Sequence, residues 1–189
     1  DIFNTNFIHI YLIQACKKAK VARLVHCSTA LVVGTTTFSD ISETTPCLPL
    51  TDYEITKYEL EKFILSDSHN GLDVAVLRPT AVVGVGSENL VKLSGQLINS
   101  SRVTNYLRSS LFGNRPMHLV PVQMVSEALI HLIFSPNLLS KQVYIVAADS
   151  DVDNNFKKVE ELLRKALGIK QRKIPLLPIP QFFLGLLLR

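Results

Sequence analysis

The sequence predicts an α/β protein built on a parallel sheet. Three observations lead there. Leu24 to Cys27, Leu72 to Leu77 and Gln142 to Ala147 are short and mostly apolar, as strands covered on both faces are. Longer segments between them carry apolar residues at helical spacing. Clusters of Gly, Pro, Ser and Thr punctuate the joins. The 189 residues are 47% hydrophobic and 19% charged, which is enough for one sizeable core and excludes a disordered chain.

Taken in order, residues 1 to 20 read as a helix. Phe7, Ile8, Tyr11, Leu12 and Ala15 recur at helical spacing, and Lys17, Lys18 and Lys20 suit its carboxyl end. Leu24 to Cys27 is a strand that runs into Ser28 and Thr29 and closes on Gly34. Thr35 to Pro49 is a Ser/Thr/Pro-rich loop in which Asp40 and Glu43 are expected to be solvated. Thr51 or Asp52 caps the next helix. It runs through Leu60, Phe63, Ile64 and Leu65 to about Ser68 and ends at Asn70-Gly71. Leu72 to Leu77 is the second strand, and Pro79, which lacks an N–H, stops it. Gly84 and Gly86 read as turn glycines, because no GxGxxG follows them. Glu88 to Leu93 opens a helix, and Val125 to Phe134 is an apolar helix ending before Pro136. Gln142 to Ala147 is a strand. Phe156 to Leu167 is an amphipathic helix stopped by Gly168, and Ile174 to Leu188 has three prolines followed by a Phe/Leu run.

The chemistry centres on Tyr53 and Lys57. Residues four apart on a helix share a face. A phenol, with a reference pKa near ~10, is a poor base at neutral pH. A nearby ammonium favours the phenolate, so the pair can move a proton on or off a hydroxyl or carbonyl. That spacing also arises by chance on many helices. What strengthens it is Ser28-Thr29 upstream, because open parallel sheets bind ligands at the carboxyl ends of their strands.

Arg23 to Gly34 followed by Tyr53-Glu54-Ile55-Thr56-Lys57 resembles the extended short-chain dehydrogenase/reductase family, within it the NAD-dependent epimerase/dehydratase branch. The resemblance implies an incomplete Rossmann-type doubly wound parallel sheet with a small C-terminal substrate lobe. Residues 1–84 and 117–148 would form the sheet domain, and 85–116 and 149–189 the lobe. It implies an enzyme using NAD or NADP on a nucleotide sugar or another small molecule. Thr29, Tyr53 and Lys57 would be catalytic. Tyr53, Lys57 and Pro79 would meet the cofactor, with Arg78-Pro79 passing beside the nicotinamide. Thr29 would also orient the substrate oxygen. Asn89 would lie near a substrate diphosphate or simply cap its helix, and Arg115 would bind that diphosphate or be salt-bridged or exposed. Alignment on the following helix puts Met117 at the family's Arg position, and Met124 replaces an opening Asp. Ala81 stands where many sugar-nucleotide enzymes have Asn, which leaves open a reductase of a non-sugar ketone or alcohol, such as a sterol-like one. A non-catalytic, cofactor-sensing or scaffold relative is a further alternative, opposed by the intact Thr29, Tyr53 and Lys57.

Net charge is +4 and the pI about 9.0. The basic residues are spread, apart from Lys157-Lys158, Arg164-Lys165 and Lys170 to Lys173, which read as a solvated helix face and its loop, with a phosphate-bearing or membrane-surface partner the lesser reading. No nucleic-acid partner or metal is implied; a homodimer is compatible. Cys16, Cys27 and Cys47 have no CxxC spacing and fit reduced thiols in the cytoplasm. No apolar run reaches the roughly 18 residues of a transmembrane helix. The C-terminal run is expected to pack on the substrate lobe, with membrane contact the lesser reading. Both ends read as truncations. The glycine-rich cofactor turn and ribose-selecting acid of the family are absent from this sequence, so NAD is not separable from NADP, and this stretch alone is expected to be inactive.

Overall fold

In the computed structural model, residues 11–36, 40–66 and 71–170 are described. The chain divides into two compact units, Asp1–Val82 with Val120–Ala147, and Val83–Leu119 with Ala148–Arg189. The expected packing of Ile174 to Leu188 and the first half of the N-terminal helix lie outside the described residues. Residues 11–18 are helical.

The first unit is a three-layer sandwich. Strands β1 (Arg23–Cys27), β2 (Asp73–Pro79) and β5 (Val143–Val146) form a parallel sheet in the order β1-β2-β5. Arg23 pairs with Asp73 and Cys27 with Leu77, while Val76 pairs with Val143 and Pro79 with Val146. The middle strand is buried along nearly its whole length. Its side chains alternate between faces, as strand geometry requires. Val74 joins Ile13, Cys16, Ile64 and Leu72 under helix α1 (Asp52–Leu65). Ala75 and Leu77 join Val120, Val125, Leu132 and Leu139 under helix α4 (Val122–Phe134). This double covering is why β2 reads as an unbroken apolar run.

Local signals explain the element ends. Thr51 caps α1 in a reciprocal box: Glu54 N–H donates to Thr51 Oγ1 at 3.3 Å, and Thr51 N–H donates to Glu54 Oε2 at 3.1 Å. The helix stops at Leu65 with Ser66 as its cap, earlier than the expected Ser68. Pro79 is the last residue of β2, and a short strand β3 (Ala81–Val83) follows, paired with β4 (Leu119–Pro121). At the amino end of the sheet, Arg23 closes the carboxyl end of α4. Its guanidinium donates to the carbonyls of Leu132, Ile133, Ser135 and Asn137, and its Nε reaches Asp73 at 2.8 Å. Glu43 departs from expectation. Although exposed, its carboxylate is not merely solvated but accepts from the Ile145 N–H at 3.0 Å, capping a free amide of β5.

The second unit holds helices α2 (Glu88–Asn99), α3 (Arg102–Phe112) and α5 (Phe156–Ala166). Gly84 and Gly86 form the turn before α2, with Ser87 N–H donating to Gly84 O and Gly86 at φ +80°. Helix α3 is amphipathic in reverse. It buries Asn105, Ser109 and Ser110 and exposes Val103 and Leu107. Two of the three find partners: Asn105 Nδ2 donates to Leu97 O at 2.9 Å, and Ser109 Oγ bonds the Glu160 carboxylate, to which Arg164 Nε also donates at 2.8 Å; the Ser110 hydroxyl has no hydrogen-bond partner among the described residues. Among the described residues no helix is long and apolar enough to cross a membrane.

Candidate active site

The site is built at the carboxyl end of β1. Ser28 N–H donates to Leu77 O at 2.8 Å, extending the ladder one residue past the strand. Thr29 then turns out of the sheet. Its backbone is extended, and its Oγ1 accepts from Leu31 N–H at 3.3 Å, capping a 3-10 turn over Ala30–Val33. Val32 and Val33 are fully buried beneath that turn, which packs against α1. Gly34 ends it at φ +69°, with its α-carbon against the loop: a β-carbon there would stand 1.9 Å from Leu48 O. Only glycine meets both demands, so the strand, hydroxyl pair and glycine act as one local unit.

Helix α1 brings the other two residues. Tyr53 is its second residue and is 54% exposed. Lys57, half-buried one turn on, places Nζ 5.9 Å from the centroid of the Tyr53 ring. The charge of Lys57 also reaches β1: burial pushes the Cys27 thiol up, and Lys57 partly pulls it back. Tyr53 and Lys57 are therefore brought together, and Lys57 is tied electrostatically to the strand end that leads into Thr29. Pro79 is buried at the carboxyl end of the adjacent β2, and Thr80 N–H continues the ladder to Val146 O at 3.1 Å.

The sequence reading missed what holds α1 in place. Glu61, one turn beyond Lys57, is 1% exposed and forms a forked ion pair with Arg78 of β2. Arg78 Nη2 stands 2.5 Å from Oε2, and Nε lies 3.1 and 3.0 Å from the two oxygens. Burial pushes the Arg78 guanidinium down, and the bonds and charge of Glu61 more than offset it, so it stays charged. The half-buried Cys47 thiol lies against the same guanidinium. Burial pushes this thiol up while the Arg78 charge pulls it back. Tyr53, Lys57 and Glu61 follow at four-residue steps, so the pair sets the rotation of the helix face that carries the site. A Glu among Leu60, Phe63 and Ile64, and an Arg inside an apolar strand, were the available signals.

Asn89 and Arg115 belong to the second unit, and no bond joins them among the described residues. Asn89 is the second residue of α2 and exposed; Ser87 holds the cap position, so Asn89 is not a cap. Arg115 is exposed and makes no ion pair among the described residues. Its peptide is fixed, with its N–H donating to Phe112 O at 2.9 Å and its carbonyl accepting from Phe156 N–H at 3.1 Å. Met117 is half-buried.

A parallel sheet with a Tyr/Lys helix packed on the turn at its carboxyl end is a partial Rossmann-type fold. Residues 1–105 match the model of the NAD dependent epimerase/dehydratase family, more than half of the chain, and the chain belongs to that family. It is similar to the UDP-glucuronic acid 4-epimerase from Bacillus cereus, solved with NAD, at TM-score 0.63 and 18% identity over 88% of this chain and 54% of that one. It is similar to the dTDP-glucose 4,6-dehydratase from Bacillus anthracis, also solved with NAD, at TM-score 0.61 and 23% identity over 88% of this chain and 53% of that one. The chain thus spans about half the length of these solved structures. A curated relative, sterol demethylase protein B of Methylococcus capsulatus, is 34% identical over 88 residues, 44% of this chain and 27% of that protein.

Proposed function

We propose that the full-length protein is an NAD(P)-dependent epimerase, dehydratase or reductase acting on a nucleotide sugar. The observation that carries it is the Lys57 ammonium over the Tyr53 ring, on a helix packed against the Thr29 turn. Tyr53 exchanges a proton with a substrate hydroxyl or carbonyl. Lys57 stabilises negative charge developing on the Tyr53 oxygen and holds a ribose hydroxyl of the cofactor. Thr29 donates to the substrate oxygen and orients it. Pro79 lines the nicotinamide side. The Ser28 hydroxyl supports a ligand at this end, since it is buried with no hydrogen-bond partner among the described residues. The bound cofactor supplies hydride acceptance and return, and the protein supplies position and proton transfer. Exposed Asn89 at the start of α2, and Arg115, which makes no ion pair among the described residues, support an anionic substrate. The cysteines are free thiols, which supports a cytoplasmic setting.

Tyr53→Phe in the full-length protein tests the mechanism. Turnover should fall by roughly 10²- to 10⁴-fold with cofactor binding kept; a near wild-type rate refutes the assignment. The second reading is a reductase of an uncharged ketone or alcohol, favoured by the sterol demethylase relative and by Ala81. Activity on such a ketone without binding of any UDP- or dTDP-sugar would establish it. Arg115→Ala should weaken UDP and UDP-sugar alike by roughly 10- to 150-fold.

A further inference from the structure

His118 is an anomaly that neither the fold nor the Tyr53 site explains. It adopts φ +50°, a left-handed conformation uncommon outside glycine. The residues on either side are clamped. Met117 N–H donates to Asn154 O at 3.1 Å, and Leu119 N–H donates to Asn154 Oδ1 at 3.0 Å. Asn154 Nδ2 in turn donates to Leu119 O at 2.8 Å and to Ala148 O at 3.1 Å. The loop that supplies Asn154 also supplies Asp149, whose Oδ2 lies 2.8 Å from His118 Nδ1. Both side chains are largely exposed, at 58% and 45%. An exposed pair contributes little to stability. A strained residue held by its surroundings points to function.

The chemistry of the pair narrows that function. An ionised carboxylate only accepts, so His118 Nδ1 carries the proton and donates to Asp149. In the tautomer that donates from Nδ1, Nε2 offers a lone pair, and it makes no hydrogen bond among the described residues. Asp151 and Asp153 lie on the same loop, and Asp153 is 3.7 Å from Lys158 Nζ. A lone-pair acceptor on an exposed ring suits a hydroxyl donor. We propose that His118, aimed by Asp149, accepts a hydrogen bond from a hydroxyl of a polyhydroxylated substrate and so selects for it. Asp149 and Asn154 are positioning residues. This rests on the nucleotide-sugar reading and adds to it a contact with the sugar.

The test uses the full-length protein with UDP-glucose, dTDP-glucose, UDP and the monodeoxy analogues of UDP-glucose, by calorimetry. His118→Ala should weaken the nucleoside diphosphate sugar that the wild type binds by roughly tenfold, with UDP affinity and melting temperature unchanged. One deoxy analogue should bind wild type and variant equally. Asp149→Asn should mimic the loss, and His118→Gln, whose amide oxygen accepts, should recover part of it. Unchanged sugar affinity in His118→Ala, or equal loss of UDP, overturns this inference and leaves the Tyr53 reading intact. A wild type that binds neither sugar overturns this inference and the proposed substrate class together.

Discussion

Removing Glu61 should be the most damaging single change near the site. Its carboxylate is 1% exposed and forks onto Arg78, which is 5% exposed. Glu61→Ala leaves a guanidinium buried without its counter-charge. Breaking a buried pair from one side costs about 3–5 kcal/mol, a large share of a typical stability of about 5–15 kcal/mol. At about 2–4 °C per kcal/mol for a domain of this size, Tm should drop by about 6–20 °C. Glu61→Leu with Arg78→Met removes both charges and fills similar volume. That double variant should recover most of the loss, as apolar replacement of both partners often does. Thermal and urea unfolding of the wild type, Glu61→Leu, Arg78→Met and the double variant as a double-mutant cycle, with Glu61→Ala alongside, measures this. A loss below about 1 kcal/mol in Glu61→Ala, or a double variant as unstable as the sum of the singles, would refute the argument.

Three smaller perturbations follow from the same geometry. Gly34→Ala meets Leu48 O and a positive φ at once; it should cost about 1–2 kcal/mol from conformation alone, more from the clash, and slow turnover by displacing Thr29. Denaturant midpoints and kcat check both. Thr51→Ala removes the capping box of α1 and should cost about 1 kcal/mol in urea unfolding. Burial pushes the Asp73 carboxyl up, but bonds from Leu139 N–H, Arg23 and Ser140 N–H more than offset this and hold it below the usual range. Its contribution is therefore complete above about pH 4 and is lost as pH falls through the folded-state pKa; Asp73→Asn should flatten that acid limb in pH-dependent melts.

The parts of the fold visible in sequence are those governed by short-range rules. Strand β2 is apolar because helices cover both its faces, and Thr51 with Glu54 declares its helix start. Tyr53 and Lys57 are visible because a helix converts four-residue spacing into proximity. What was hidden depends on distant partners. Helix α3 escaped because its buried face is Asn105 and Ser109, polar residues that make sense only once Leu97 and Glu160 arrive. Glu43 looked solvated because the Ile145 amide it caps is 102 residues away. Asp149 and His118 are 31 residues apart, and nothing in either neighbourhood announces the other.

The two arginines of the first unit, Arg78 buried and Arg23 partly so, show why the site end of the sheet is built differently from the opposite end. Arg23 spends its donors on four carbonyls at the end of α4 and on Asp73, groups that helix and loop would otherwise leave unsatisfied. Its role is closure, and an apolar residue there would strand those carbonyls. Arg78 has one carboxylate partner, deep under α1, and an apolar pair would serve stability as well. What an apolar pair would not supply is direction: a forked bond fixes the helix about its own axis, whereas Leu against Met permits small rotations. Tyr53 stands two turns from that fork, so a rotation at Glu61 is carried to the phenol. The Glu61→Leu, Arg78→Met protein should therefore melt near the wild type yet turn over more slowly. Equal kcat in both proteins would show that packing of the 3-10 turn alone aligns Tyr53.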